Sequence, residues 1–260
     1  PLRSQRHLFN FLTFCLQIIH RFDRACVLCY PLITSPRYEV SSLRNALRRF
    51  PWGELKYVLW LPVYLLSFFV IERVVVTGYW PTQTWLDGYI PFCEWFVIPY
   101  CLWYPLLVAV GLWLLWKDRE GFRRYLRFLA LTFFLSELVW LLIPNGQDLR
   151  PAVMPRDNPL TRLVAGLYAI DTNTNVFPSV HVVGAIGAAW AVRNTPSLQG
   201  RKLPREAVTI LAVLICLSTL FIKQHSVLDV ASGLCLALAV GLPLYNCRSL
   251  RRFRPAVDRD

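Results

Sequence analysis

Two histidines and one aspartate are the residues in this sequence best suited to catalysis. His225 precedes Asp229 by four residues, and this spacing places both side chains on one helix face, where the carboxylate can orient the imidazole and stabilise its cation. His181 follows Pro178-Ser179-Val180 at the predicted start of a different helix. A nucleophilic histidine held by an acid, with a second histidine to protonate the leaving oxygen, suits phosphoryl transfer through a phosphohistidine.

The residues before His181 predict an anion site. Pro178 favours the first turn of a helix, and Ser179 is a preferred helix cap. The N–H groups at such a helix start, together with the positive end of the helix dipole, bind anions. Arg150, in the preceding loop, carries the guanidinium fork that best matches a phosphate. We therefore predict Arg150 and Ser179 as phosphate ligands and expect no cofactor.

The same residues also allow two other interpretations. Two histidines and an aspartate could hold zinc, although Arg150 and the Pro-Ser helix start would then have no purpose. We predict no metal, and insensitivity of the activity to chelators would separate the two cases. A transporter or a membrane scaffold would use the polar residues to bind an anion or to hold helices together. In that case a His225→Ala protein would keep its activity.

The elements that must position these residues are predicted to be membrane helices. The chain is 55% hydrophobic and 17% charged, which is more apolar than an average soluble domain. A bilayer core of about 30 Å needs roughly 20 apolar residues of helix. Only helices satisfy the backbone hydrogen bonds of a single apolar segment in lipid. We predict an all-α, six-helix transmembrane bundle with spans at 57–76, 95–116, 125–143, 177–192, 206–222 and 226–245.

The fourth predicted span is short. It measures about 21 Å from Ser179 to Val192 at the helical rise per residue. His181 would therefore lie below the membrane surface, where an aqueous pocket can receive a lipid headgroup. Glu137 lies within the third span, and a functional acid and a structural hydrogen bond both remain open for it.

The distribution of positive charge predicts the orientation. Most of the 28 Lys and Arg lie before the first span, in alternate loops and in the tail. Because basic residues are retained in the cytoplasm, both termini are predicted to be cytoplasmic and the histidine pair extracytoplasmic, in a multi-pass protein of the cell membrane. The net charge of +12 does not form a recognition patch, so no nucleic acid partner is expected.

The chain divides into three predicted regions. Residues 1–56 form a basic N-terminal region in which the apolar stretches 8–19 and 26–33 are too short to span and are predicted to be interfacial helices. Residues 57–245 form the six-helix catalytic domain, with its motifs in 144–245. Residues 246–260 form a basic cytoplasmic tail. The connection 144–176 is long and polar, as functional loops often are.

Three motifs occur in order: Arg150-Pro151, Pro178-Ser179-Val180-His181, and residues 218–229 (STLFIKQHSVLD). They resemble the three motifs of the type 2 phosphatidic acid phosphatase (PAP2) superfamily, over residues 140 to 245. The resemblance implies a metal-independent mechanism and a phosphorylated lipid as substrate. It also implies that His225 is the nucleophile, Asp229 its partner and His181 the acid.

Two phosphate-binding cations of the phosphatase members are missing from this chain. The first motif has a lysine in those members where this chain has Ile143, and the third has an arginine where this chain has Thr219. Lys223 is the candidate replacement for one of them. The weaker cation set resembles the branch of inositol phosphorylceramide and sphingomyelin synthases, which pass the headgroup to an alcohol. A lipid phosphatase and a lipid headgroup phosphotransferase therefore both remain open, and neither the headgroup nor the oligomeric state is predicted.

Overall fold

The structure of the protein, a computed structural model, describes residues 51–74 and 78–246. Within it, Pro51–Tyr168 and the chain from Thr172 onward belong to one compact unit. The interfacial helices predicted in the N-terminal region and almost all of the basic tail lie outside the described residues, so both stay predictions. The α-helices are α1 (Trp60–Val74), α2 (Val97–Cys101), α3 (Trp103–Lys117), α4 (Arg119–Leu142), α5 (Pro159–Ile170), α6 (Val180–Asn194), α7 (Lys202–Phe221) and α8 (Val227–Asn246). Short 3-10 helices cover Trp52–Val58, Trp85–Tyr89, Glu94–Phe96 and Pro196–Leu198, and two-residue strands β1 (Trp80–Pro81) and β2 (Asn145–Gly146) pair in parallel.

The described residues confirm the predicted all-α membrane bundle. Five helical segments are long and apolar enough to cross a membrane, and they lie close to five of the six predicted spans. The remaining predicted span, the fourth (177–192), is helix α6, which has only 15 residues because Ser179 caps its start and Thr195-Pro196 ends it. The six-helix prediction is therefore approximate. The five long segments are Trp52–Val74, Glu94–Lys117, Arg119–Leu142, Lys202–Phe221 and Val227–Tyr245.

Helix α6 is the centre of the bundle, because α3, α4, α7 and α8 all pack against it. Small residues make this possible. A Cβ atom added at Gly184 would lie 2.7 Å from the indole nitrogen of Trp103, and one at Gly187 would lie 2.5 Å from the ring of Phe128. Both distances are shorter than any ordinary contact, so these glycines set how closely the neighbouring helices approach.

The connection 144–176 contains a helix that the sequence interpretation missed. Helix α5 begins after Asn158, whose Oδ1 accepts hydrogen bonds from the first-turn N–H groups of Leu160 (2.9 Å) and Thr161 (3.0 Å). The buried side chains of Val164 and Leu167 pack this helix against a core cluster that includes Val97, Tyr100 and Ile222. The polar composition of the connection concealed the three-residue spacing of those two apolar side chains.

Candidate active site

The three predicted catalytic residues lie together at one end of the bundle, here called the site end. His225 stands in the turn between α7 and α8, Asp229 in the first turn of α8 and His181 in the first turn of α6. His225 Nε2 is 3.4 Å from His181 Nδ1, and His225 Nδ1 is 3.6 Å from Asp229 Oδ2. All three side chains are buried. The ring of His225 thus has an acid beside one nitrogen and a second imidazole beside the other.

Asp229 is held by the start of its own helix. Its Oδ2 accepts a hydrogen bond from the Ser226 N–H (2.7 Å), and its own N–H donates to Ser226 Oγ (3.2 Å). This reciprocal cap fixes the carboxylate in the first turn of α8. Its Oδ1 and the Nδ1 of His225 have no hydrogen-bond partner among the described residues. The 3.6 Å separation between the two side chains is long for a hydrogen bond, as is common before a substrate tightens a site.

Ser179 caps helix α6 and joins it to α8. Its Oγ accepts from the Val182 N–H at 3.5 Å, and its own N–H donates to the backbone carbonyl of Asp229 at 3.2 Å. A Cβ atom at Gly233 would lie 2.9 Å from the Ser179 carbonyl, so the two helix starts are also in close steric contact. Ser179 therefore positions a helix start that can bind an anion, and direct phosphate binding by its side chain stays a prediction.

Arg150 is connected to the residue beside the predicted nucleophile. Its guanidinium donates to the carbonyls of Tyr168 (3.2 Å) and Thr172 (2.6 Å) and to Gln224 Oε1 (2.5 Å). It also lies over the Tyr168 ring, 4.4 Å from the centroid. Burial raises the pKa of Tyr168 to about 12 although Arg150 opposes the shift, and the hydroxyl donates to the Ile222 carbonyl. Arg150 thus organises the chain next to His225, and its role as a phosphate ligand stays a prediction.

Lys223, the third predicted phosphate ligand, contacts backbone carbonyls in the structure. Its Nζ donates to the backbone carbonyls of Asp87 (2.9 Å) and Ile90 (2.5 Å), and only 8% of the residue is exposed. Burial lowers the pKa of Lys223, and the charge of Asp87 acts in the opposite direction. The ammonium group holds the segment before α2 against the turn that carries His225. Like those of Arg150 and Ser179, the contacts of Lys223 support a structural role, and phosphate binding by Lys223 stays a prediction.

Comparison with known families places the chain in a family. A family model described as the PAP2 superfamily matches residues 67–242, which is more than half of the chain and includes all three motifs. The chain belongs to the PAP2 superfamily. A search of the curated proteins and a search of the solved structures gave no match. PAP2 membership supports, in general terms, a phosphatase-type enzyme that acts on lipid phosphates, and the branch of the sphingolipid synthases stays a prediction.

Aromatic rings enclose His181 in this PAP2 protein, and the sequence interpretation did not identify them. The ring of Tyr100 stacks on His181 at 4.5 Å between centroids, Trp103 lies tilted at 4.6 Å, and Tyr104 meets it edge-on at 6.4 Å. His181 Nε2 and Trp103 Nε1 are both buried without a hydrogen-bond partner among the described residues. The spacing of the three aromatics predicts that they share one face of the helical segment Glu94–Lys117, but it does not say that His181 lies against this face.

Thr219 and Ile143 stand where the PAP2 phosphatases are expected to carry two phosphate-binding cations. Thr219 is fully buried, and its backbone carbonyl accepts from the N–H groups of Gln224 (2.9 Å) and His225 (3.0 Å). Its hydroxyl donates to the Cys216 carbonyl at 2.8 Å. Ile143 is half exposed at the end of α4. Thr219 therefore shapes the turn that holds His225, and neither side chain carries a charge that could bind a phosphate.

Proposed function

We propose that the protein is a PAP2-type membrane enzyme that cleaves or transfers the phosphoryl group of a lipid phosphate through a phosphohistidine on His225. One observation carries the proposal: His225 lies between Asp229 and His181, with a separate ring nitrogen close to each. A hydrogen bond from Nδ1 to the carboxylate leaves the lone pair on Nε2, which is the tautomer that a nucleophile needs.

In the proposed reaction, Nε2 of His225 attacks phosphorus, the P–N bond forms and the P–O bond to the lipid breaks. His181 protonates the leaving oxygen, and Asp229 stabilises the positive charge on His225. Water or an alcohol then attacks phosphorus and loses its proton to His181, while the P–N bond breaks and returns the lone pair to Nε2 of His225. Attack and departure are roughly in line, so a phosphoryl group does not fit between rings whose nitrogens are 3.4 Å apart. The two rings therefore separate when the substrate enters.

The basic loops support an extracytoplasmic site. Lys117, Arg201 and Lys202 lie at the ends of α3 and α7 that are opposite to the histidine pair. Under the positive-inside rule those ends face the cytoplasm, so we place the site end outside. The lipid would then be dephosphorylated in the extracytoplasmic leaflet.

The experiment is to trap the intermediate. Purified protein in detergent is mixed with phosphatidic acid carrying ³²P, quenched in alkali and tested for protein-bound label that is lost in acid, as a phosphohistidine requires. We expect label on the wild type, none on His225→Ala and some on His181→Ala, because the nucleophile remains. His20→Ala, a histidine of the N-terminal region, is the matched control. Label that persists on His225→Ala would refute the proposal.

A lipid headgroup phosphotransferase is the second candidate, and the cation set favours it. Ile143 and Thr219 replace two charged residues, while the Lys223 ammonium is held by backbone carbonyls. A phosphodiester carries one negative charge and needs fewer cations than a phosphomonoester dianion. The test supplies phosphatidylinositol or phosphatidic acid, each with and without diacylglycerol or ceramide. A new phospholipid that forms only with an acceptor supports the transferase, whereas free phosphate without an acceptor supports the phosphatase.

A further inference from the structure

The connection between α1 and α2 carries an exposed aromatic surface at the site end. We call residues 80–95 the aromatic segment. Trp85 and Tyr89 are 76% and 79% exposed, and their rings meet edge-on at 5.9 Å. Trp95 is 66% exposed, and Trp80 and Leu86 are also exposed. Such a dense group of exposed apolar side chains indicates an interaction surface.

Both acidic residues of the aromatic segment are buried. Asp87 is 2% exposed, and its Oδ2 accepts from the Thr84 N–H at 2.7 Å. Glu94 is 3% exposed and forms a bidentate ion pair with Arg156, with N···O distances of 2.7 and 2.5 Å. Because these are the only ionisable carboxylates or basic groups within residues 80–95, the segment itself exposes no charged side chain; the charge beside it is that of Arg156, which is paired with Glu94.

The aromatic segment is bonded to the turn that carries His225. Asp87 Oδ1 accepts from the Val227 N–H at 2.7 Å, on one side of His225. On the other side, the Lys223 ammonium donates to the Asp87 carbonyl, and the Cys93 N–H donates to the Phe221 carbonyl at 2.9 Å. The aromatic segment and the turn that carries His225 therefore keep a fixed position relative to each other.

We propose that the aromatic segment is a membrane anchor that inserts Trp85 and Tyr89 among the lipid headgroups at the site end. The segment lies in the chain between two helical segments that can span a membrane, Trp52–Val74 and Glu94–Lys117, so it stands near the membrane surface when both of them cross. Tryptophan and tyrosine have an apolar body and a polar tip, and they concentrate at the membrane–water interface for that reason. An uncharged aromatic surface fits a lipid interface, whereas a charged one would fit water.

The anchor has a consequence for catalysis, which rests on the function proposed above. Because the segment holds both sides of the His225 turn, its insertion places the catalytic turn at the level of the phosphate groups. A lipid phosphate then reaches His225 without leaving the bilayer. Loss of the anchor should impair capture of the lipid substrate more than the chemical step.

The direct test measures the position of Trp85 in the membrane. The full chain is labelled with 5-fluorotryptophan and reconstituted in phosphatidylcholine nanodiscs, and the Trp85→Phe variant assigns the ¹⁹F signal of Trp85. We expect a lipid with a nitroxide at its headgroup to broaden this signal and a water-soluble gadolinium chelate to leave it sharp. Trp140, which is 1% exposed, is the buried control, and we expect neither agent to broaden its signal.

Two outcomes would overturn the anchor. Broadening of the Trp85 signal by the gadolinium chelate and not by the lipid would mean that the segment stands in water. Protection from both agents would mean that protein covers the surface. A dimer that becomes a monomer in Trp85→Ala would then identify a second copy of the chain as the partner. None of these measurements needs turnover, so failure of the proposed function leaves the test of the anchor intact.

The kinetic test compares two variants. The double substitution Trp85→Ala and Tyr89→Ala should raise KM for phosphatidic acid in vesicles by about tenfold, with kcat in mixed micelles retained. Trp116→Ala is the matched control, because it removes an exposed tryptophan at the opposite end of α3 and should leave KM unchanged. An equal rise in KM for both variants, or a lower kcat with unchanged KM for the double variant, would contradict the link between anchor and substrate capture.

Discussion

Helices α1 and α6 both have 15 residues, but α6 lies at the centre of the bundle and α1 lies at its edge. Helix α6 is buried along most of its length, is rich in glycine, alanine and valine, and carries His181. Helix α1 is rich in leucine and aromatic residues, buries only Tyr64 and Ile71, and is held to the bundle by α4. Lipid is as apolar as leucine, so large apolar side chains do not draw a helix inward. Small residues do so by allowing close contact, and this places the helix that carries His181 at the centre.

Substitution of His181 should produce the largest difference in turnover between variants of α6 and variants of α1. His181→Ala removes the proposed proton donor from α6, and we expect turnover of phosphatidic acid to fall by about 10²–10⁴-fold with the fold retained. Leu66→Ala on the lipid-facing side of α1, where the residue is 68% exposed, should leave turnover unchanged. Initial rates in detergent measure the turnover of both variants, and circular dichroism checks that both keep the fold. Equal activity of the two variants would remove the functional difference between the helices.

Close contact at α6 is tested by Gly187→Ala. The new Cβ atom would lie 2.5 Å from the Phe128 ring, and overpacking of this kind costs about 1–3 kcal/mol. We expect a lower melting temperature in detergent. Gly166→Ala on α5 is the matched control, because nothing lies within 4 Å of its new Cβ atom, and it should melt at the wild-type temperature or slightly above. Similar melting of the two variants would show that α6 tolerates extra volume.

The clamp formed by Lys223 is tested by Lys223→Met. This change removes the donor to the Asp87 and Ile90 carbonyls, and each buried acceptor left unpaired costs about 1–3 kcal/mol. We expect a lower melting temperature and a lower kcat, with KM for phosphatidic acid unchanged. A raised KM with wild-type stability would instead assign Lys223 to phosphate binding.

A change in the contact that attaches α1 to α4 should have the smallest effect on activity and stability. Ser67 Oγ lies 2.8 and 3.0 Å from the two carboxylate oxygens of Glu137 on α4, which is the contact expected of a structural acid. Glu137→Gln retains an acceptor for Ser67, so we expect activity to be unchanged and stability to change by less than about 1 kcal/mol. Thermal melting and turnover measure both. A large loss of activity in Glu137→Gln, with normal melting, would show that this acid takes part in the reaction.

Sequence reasoning succeeded where the signal is local. The long spans follow from runs of apolar residues, and the pairing of His225 with Asp229 follows from their helical spacing. The cap at Ser179 is equally local, because it depends on the residues at one helix start. The meeting of His181 with His225 was inferred from topology and from the family resemblance, since no short-range pattern relates residues on separate helices.

The features that were missed depend on contacts between distant parts of the chain. The enclosure of His181 by Tyr100 and Trp103 requires α2 and α3 to pack beside α6, and aromatic residues in an apolar span give no indication of which neighbour they face. The contacts of Lys223 depend on a segment more than 130 residues earlier in the chain. Charge alone suggested a phosphate ligand there, and the carbonyls that the ammonium group contacts could not be seen in the sequence; phosphate binding by Lys223 stays a prediction.

The hydrogen bond from the Ser179 N–H to the Asp229 carbonyl makes the starts of α6 and α8 a single mechanical unit. A helix that spans a bilayer tilts when the bilayer becomes thinner or thicker. When α8 tilts, this bond and the steric contact of Gly233 carry the start of α6 with it. The imidazole of His181 and the carboxylate of Asp229 should then move together, so we expect the alignment of these two predicted catalytic groups to change little with membrane thickness.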